Sequence, residues 1–233
     1  SNVANLLLVL GVAAVVAGGV KVKYELVAVD LPFLAASGFF LALILWDGTV
    51  TFAEGAFCLF GLALYLRYAV SGRPPRGGEA EEPSSGLLKP LAVLVISGAL
   101  IYGGADFTVL SVVEISTALG IGREVIAASA VALGTSLPEV SVSVAAVRQG
   151  RAEMAVGNIV GSNVLNVFGV IGVSALIGPL PVAESMLRLA LPVMIVATVL
   201  TFFMLLEREM TRWEGWLMLM LYVYFLGALY GLV

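Results

Sequence analysis

The chain has 233 residues, 61% of them hydrophobic and only 12% charged, with a formal net charge of −4 and no histidine. A soluble domain carries about 25% charged residues, so this composition, with a mean hydropathy of +1.07, excludes an ordinary soluble globule. The net charge is too small to imply a nucleic-acid or acidic partner.

In chain order, eight apolar segments run over approximately 1–20, 26–46, 50–70, 88–118, 121–147, 153–177, 186–206 and 213–232. Each is close to or beyond the roughly 20 residues that a membrane-spanning helix needs. The expected fold class is therefore an all-α membrane protein. The fourth and fifth segments are long enough to be tilted or broken. The 26 glycines fit, because Gly is more frequent in membrane helices than in soluble ones. The single cysteine, Cys58, lies in an apolar run and reads as a buried small hydrophobe. The stretch 71–86, SGRPPRGGEAEEPSSG, is Gly, Pro, Ser and mixed charge, and reads as a flexible linker outside the membrane. It divides the chain into 1–70, with three helices, a linker at 71–87, and 88–233, with five.

Ten of the 12 Lys and Arg residues follow the first, third, fifth and seventh segments; only Arg123 and Arg188 lie on the other side. Cytoplasmic loops carry the excess of Lys and Arg. The linker is expected to be cytoplasmic, the C-terminus outside, and the protein a multi-pass protein of the cell membrane with the lipid bilayer as its partner.

The chain opens with Ser1-Asn2-Val3-Ala4-Asn5 and carries Ser162-Asn163-Val164-Leu165-Asn166 at an offset of 161, an offset that also relates Gly11 to Gly172. After a slip of one residue, Leu31-Pro32 matches Leu191-Pro192 and Glu54-Gly55 matches Glu214-Gly215. An odd number of spans separates the copies, so they cross the membrane in opposite senses. This is an inverted-topology repeat, the architecture common among secondary transporters, whose sites lie near the midplane where the repeats meet. The first copy is incomplete: two and a half spans precede Ser162 and none precedes Ser1. The chain begins with Ser1, not Met, so helices are expected to be missing before it.

Glu139 has apolar sequence on both sides within the fifth span. A carboxylate at mid-membrane costs on the order of 2.5–3.5 kcal/mol even on lenient scales, and is tolerated where it faces the bundle interior and meets a cation or proton. Pro138 has no N–H, so the carbonyl of Gly134 loses its helical partner, and Gly134 and Pro138 are expected to mark a helix break. Thr135 and Ser136 share the face of Glu139, and Ala132, two turns away, offers a backbone carbonyl. On the sixth span, Asn158, Ser162 and Asn166 recur every four residues as a polar stripe. Gly157 and Gly161 recur likewise and are expected to let another helix approach closely. With no histidine and one cysteine, an ion held here would be hard and oxygen-bound, as Ca²⁺ or Na⁺ are. Ser129, Ser141, Ser143 and Asn158 read as interhelical hydrogen bonds. Asp106 either lines an access path or caps a helix turn, the second being expected. Glu54 and Glu214 lie near helix starts and read as structural.

GTSLPE (134–139) followed by GNIVGSNVLN (157–166) resembles the second α-repeat of the Ca²⁺/cation antiporter superfamily, the sodium/calcium exchanger family, and SNVAN (1–5) resembles the tail of the first. The resemblance implies ten spans in two inverted halves of five helices each, of which this chain would hold about eight, lacking the first two helices. It implies that Glu139 is a principal Ca²⁺ ligand. Thr135, Ser136 and the Ala132 carbonyl would bind Na⁺ or assist Ca²⁺, with Ser162, Asn166, Ser1 and Asn5 completing the site. Some sodium-driven members carry Asp where this chain has Asn166, which leaves Na⁺ or H⁺ open as the driving ion.

The expected function is thus a secondary active antiporter, not an enzyme, exchanging Ca²⁺ for Na⁺ or H⁺ by alternating access. It would use no cofactor beyond the transported ions, and would work as a monomer or be completed by the missing helices. A different divalent cation, a channel, and an inactive membrane fragment are the alternatives.

Overall fold

The computed structural model describes residues 1–22, 26–71, 88–118, 123–184 and 186–229, with the side chains of 123–135 and some of those in 88–118 outside that set. The expected linker falls outside it from residue 72 onward. Eight helices run through the described residues. They are α1 (Asn2–Ala17), α2 (Leu26–Ile44), α3 (Phe52–Ser71), α4 (Leu88–Ala118), α5 (Arg123–Arg148), α6 (Ala152–Ile177), α7 (Met186–Leu206) and α8 (Arg212–Leu229). Five of the described helices, α2, α3, α4, α6 and α7, contain a stretch long and apolar enough to cross a membrane. Among the other described helices, α1 is apolar but shorter.

Helices α1 and α6 form the centre. Leu6, Leu7, Val9 and Leu10 on α1, and Val156, Ile159, Val160 and Val164 on α6, are all 1% exposed or less. Apolar residues on every side are what an interior helix carries. Around this pair, α8 packs on α1, α3 packs on α6, and α2 packs on α7. Helix α5 packs on both α1 and α6, while α4 packs chiefly on α5.

The repeat read from SNVAN and SNVLN governs this packing. Gly11 on α1 meets Gly215 on α8 so closely that a Cβ on Gly215 would lie 2.9 Å from the Gly11 carbonyl oxygen. The equivalent pair is Gly172 on α6 and Gly55 on α3, where a Cβ on Gly55 would lie 3.1 Å from the Gly172 carbonyl oxygen and 2.6 Å from Ala175 Cβ. Only glycine permits such an approach. The glycines expected to serve this purpose, Gly157 and Gly161, do not: among the described residues no atom lies within 4 Å of a Cβ on Gly157, and only the Tyr65 hydroxyl comes near Gly161, at 3.6 Å. A four-residue spacing puts small residues on one face without saying which neighbour that face meets.

The all-α expectation holds, with one small addition at the helix ends. Two short antiparallel ladders join the helix ends, β1 (Gly19–Lys21) with β4 (Glu209–Thr211) and β2 (Thr49–Val50) with β3 (Leu180–Pro181). The pairs Lys21–Glu209 and Val20–Met210 correspond, at an offset of 160, to Pro181–Thr49 and Leu180–Val50. Beyond each ladder one more bond repeats: Val22 N–H donates to the Arg208 carbonyl and Val182 N–H to the Gly48 carbonyl, both at 2.9 Å. The ladders satisfy backbone groups that a helix end would leave open. Each joins one repeat to the other.

Helix starts repeat as well. At α3, the Glu54 carboxylate accepts from the Thr51 N–H at 2.7 Å, and the Glu54 N–H donates to the Thr51 hydroxyl at 3.4 Å. Thr211 and Glu214 do the same at α8, at 2.6 and 3.3 Å. These are capping boxes, the structural role read for both glutamates. Four π-helical segments also obey the repeat: Asn5–Val9 with Asn166–Ile171, and Leu26–Asp30 with Met186–Ala190. The second pair ends just before Pro32 and Pro192. A proline removes an N–H and its ring crowds the preceding turn, which a wider turn relieves.

Two further expectations change. Helix α5 continues through Pro138, so the break expected at Gly134 and Pro138 is a helix lacking one bond, held by the bonds on either side. Asp106 lies inside the uninterrupted α4 and is exposed, so it caps no turn.

Candidate functional site

The two SNVxN motifs face each other across α1 and α6. The side-chain nitrogen of Asn5 donates to the Ser162 hydroxyl at 2.8 Å, and that of Asn166 donates to the Ser1 hydroxyl at 2.9 Å. The two bonds are repeat-mates: each asparagine reaches the serine of the other motif. Asn166 also donates to the Asn2 side-chain oxygen at 3.0 Å. In this way the nitrogen end of each amide is committed across the repeat interface, and the oxygen end remains.

Both asparagines begin π-helical segments. A π turn displaces the side chains that follow relative to an α-helical register and recurs at functional sites. It divides the stripe Asn158, Ser162, Asn166 among different partners. Ser162 faces Asn5, Asn166 faces Ser1 and Asn2, and Asn158 donates to the Ser143 hydroxyl of α5 at 3.4 Å. The last is the interhelical bond read for Asn158 and Ser143. Ser141 is exposed, and the side chain of Ser129 lies outside the described residues.

Helix α5 brings Glu139 and Ser136, three residues apart and hence on one face. This helix packs against the Asn5–Val9 segment. Asn5 is 0% exposed and Ser136 1%. Three buried oxygens on these elements have no hydrogen-bond partner among the described residues: Asn5 Oδ1, Ser136 Oγ and Glu139 Oε2. A buried acceptor without a partner costs about 1–3 kcal/mol, more when charged. Carboxylate, amide and hydroxyl oxygens are the donor types that a desolvated hard cation takes. No group of three His, Cys, Asp or Glu occurs among the described residues, so Glu139 is the carboxylate that the described residues bring to this place. The side chains of Ala132 and Thr135 lie outside the described residues.

Several polar residues here were not singled out from sequence. Asn163, repeat-mate of Asn2, is buried, donates to the Ile159 carbonyl at 2.7 Å and leaves its Oδ1 without a partner. Its place in the repeated motif was the available signal. Thr201 on α7 is also buried with its hydroxyl unpartnered. Asp30 on α2 accepts from the Tyr65 hydroxyl at 3.2 Å; a second acidic residue in an apolar span was a signal left unread.

Fold and site together define a multi-pass membrane protein whose two inverted repeats meet near buried side-chain oxygens without partners among the described residues. The chain belongs to the sodium/calcium exchanger protein family, whose model matches residues 1–71 and 89–231. It is 42% identical over 151 residues to the sodium/calcium exchanger MaX1 of Methanosarcina acetivorans, covering 64% of this chain and 43% of that one. It is 30% identical over 236 residues to the putative antiporter CaxA of Alkalimonas amylolytica, covering 96% of this chain and 74% of that one. Among solved structures it resembles the sodium-calcium exchanger NCX_Mj with a TM-score of 0.80 at 29% identity, over 96% of this chain and 72% of that chain. The match to MaX1 thus spans under half of that relative's length.

Proposed function

We propose that the protein is a secondary active antiporter exchanging Ca²⁺ for Na⁺ or H⁺ across the membrane. The observation that carries this reading is the buried, unpartnered set Asn5 Oδ1, Ser136 Oγ and Glu139 Oε2. In a membrane interior, three acceptors with nothing to accept are stabilised by a cation, and one negative charge suits a cation that comes and goes. Glu139 is the principal ligand, with Ser136 and Asn5 beside it. Ser162, Asn166 and Ser1 complete the shell when their amide and hydroxyl oxygens turn to the ion. Thr135 and the Ala132 carbonyl serve the counter-ion. The transported ions are substrates, and no resident cofactor is needed.

Alternating access follows if Ca²⁺ and the counter-ions compete for the same oxygens, so that occupancy by one excludes the other. The moving part is the long α4, which slides against the core that holds Glu139. The Lys and Arg distribution puts the 71–86 linker in the cytoplasm and the C-terminus outside. Asn166, neutral where some sodium-driven members carry Asp, keeps H⁺ beside Na⁺ as a driving ion.

The test is Ca²⁺ uptake by vesicles containing the purified protein under an imposed Na⁺ gradient and, separately, a pH gradient. One of the two gradients drives uptake, and Glu139→Gln abolishes it. Ca²⁺ flux that needs no opposing ion, or that survives Glu139→Gln, refutes the reading.

A further inference from the structure

At the end of the bundle where α1 turns into β1 and β4 leads into α8, a cavity of about 560 Å³ opens beside Gly18, Gly19, Thr211, Arg212, Trp213 and Trp216. It lies within the range of small-molecule pockets, roughly 300–1,000 Å³. Its floor is bare because Gly18 and Gly19 carry no side chains, and their φ values of 73° and 132° favour glycine at both positions. We propose that this cavity seats the phosphate headgroup of an anionic phospholipid whose acyl chains lie along α8.

Charge supports an anion. Arg212 is exposed and makes no ion pair among the described residues. The two carboxylates nearby are committed: Glu209, which also borders the cavity, pairs with Lys21 at 3.1 Å, and Glu214 caps α8. The planar guanidinium fork matches a phosphate's oxygens. The surroundings point to a lipid source. Trp213 is 81% and Trp216 48% exposed, and the exposed face continues through Met220, Val223 and Tyr224, at helical spacing along one side of α8. Tryptophan settles at the headgroup level of a bilayer, so the cavity lies at the depth of lipid phosphates, with an apolar track below it. Basic pockets between membrane helices are known headgroup sites. The repeat does not require any of this. The residues equivalent to Arg212, Trp213 and Trp216 in the first copy are Phe52, Ala53 and Ala56, so one end of the bundle carries a feature that its mate lacks.

The test uses the three tryptophans of the chain. In a Trp46→Phe protein, only Trp213 and Trp216 report. The protein is reconstituted in mixtures of phosphatidylcholine and phosphatidylglycerol, with one lipid or the other carrying brominated, quenching chains. Phosphatidylglycerol is expected to be favoured beside the two tryptophans by about fivefold, the factor that one basic residue confers at a lipid surface. Arg212→Gln brings the ratio near one, while Arg212→Lys keeps most of it. Equal quenching by both lipids in the parent protein overturns the proposal, as does an undiminished ratio in Arg212→Gln. Loss of the preference on adding inorganic phosphate at constant ionic strength assigns the cavity to a free anion and overturns the lipid assignment.

Discussion

The approach of α3 to α6 yields a quantitative prediction at Gly55. Alanine there would put its Cβ 2.6 Å from Ala175 Cβ. Two carbons in contact prefer about 3.5–4.0 Å, so the helices must separate by roughly an ångström or deform. Overpacking of this kind costs about 1–3 kcal/mol, and the helix-propensity gain of Gly to Ala returns about 1 kcal/mol. Gly55→Ala should therefore destabilise by up to about 2 kcal/mol, in contrast to the stabilisation expected of the same change on an open helix face. Gly157→Ala, with no described atom within 4 Å, supplies that contrast and should stabilise by about 1 kcal/mol or less. Ala175→Gly removes the nearest clashing atom, so Gly55→Ala/Ala175→Gly should recover part of the packing penalty, the 3.1 Å approach to the Gly172 carbonyl oxygen remaining. The measurement is a double-mutant cycle of reversible unfolding in mixed micelles. Additive effects, within about 0.5 kcal/mol, or a Gly55→Ala as stabilising as Gly157→Ala, would refute the close packing described for α3 and α6.

Other outcomes follow from the geometry. A cycle on Asn5→Ala and Ser162→Ala should show a coupling of about 0.6–1.7 kcal/mol, the range for interhelical hydrogen bonds in membrane proteins. The repeat-mate cycle on Asn166 and Ser1 should show a smaller coupling, because that bond is exposed and Asn166 shares its amide with Asn2; zero coupling in both removes the crossed pairing. Arg208 holds φ 63° where its repeat-mate Gly48 holds 80°. Because the left-handed region costs a side-chain-bearing residue roughly 1–2 kcal/mol, Arg208→Gly should raise stability and Gly48→Ala lower it, read by the same unfolding assay. Cys58, fully buried against the core, should resist maleimide in the folded protein and react on unfolding; rapid labelling of the native state would contradict its place on α3.

The helices were legible because lipid imposes one rule on every span, and the repeat was legible because SNVAN and SNVLN keep their register through Glu54-Gly55 and Glu214-Gly215. Glu139 stood out because a carboxylate in hydrocarbon needs a reason. What could not be read was which surface each face meets. Gly157 and Gly161 have the spacing of a packing motif, yet the helices touch at Gly11, Gly55, Gly172 and Gly215. Asn5 and Asn166 were named as ligands, but not that each amide nitrogen would be taken by the other motif's serine. That depends on two helices far apart in sequence. The ladders are two or three residues long, too short for alternation to register, and the π segments leave a trace only where Pro32 and Pro192 follow them.

The two ladders carry a consequence for ancestry and assembly. The ladders, the glycine pairs and the Asn–Ser bonds each occur twice with partners exchanged. That is the signature of an isologous interface, the self-complementary surface by which two identical subunits form a two-fold dimer. A single repeat would expose one strand of each ladder, one glycine of each pair and one amide of each bond, and could satisfy all of them only against a copy inserted upside down. The fused chain thus has the geometry of an antiparallel homodimer whose subunits were joined and then diverged, with Arg212, Trp213 and Trp216 marking where the halves stopped being alike.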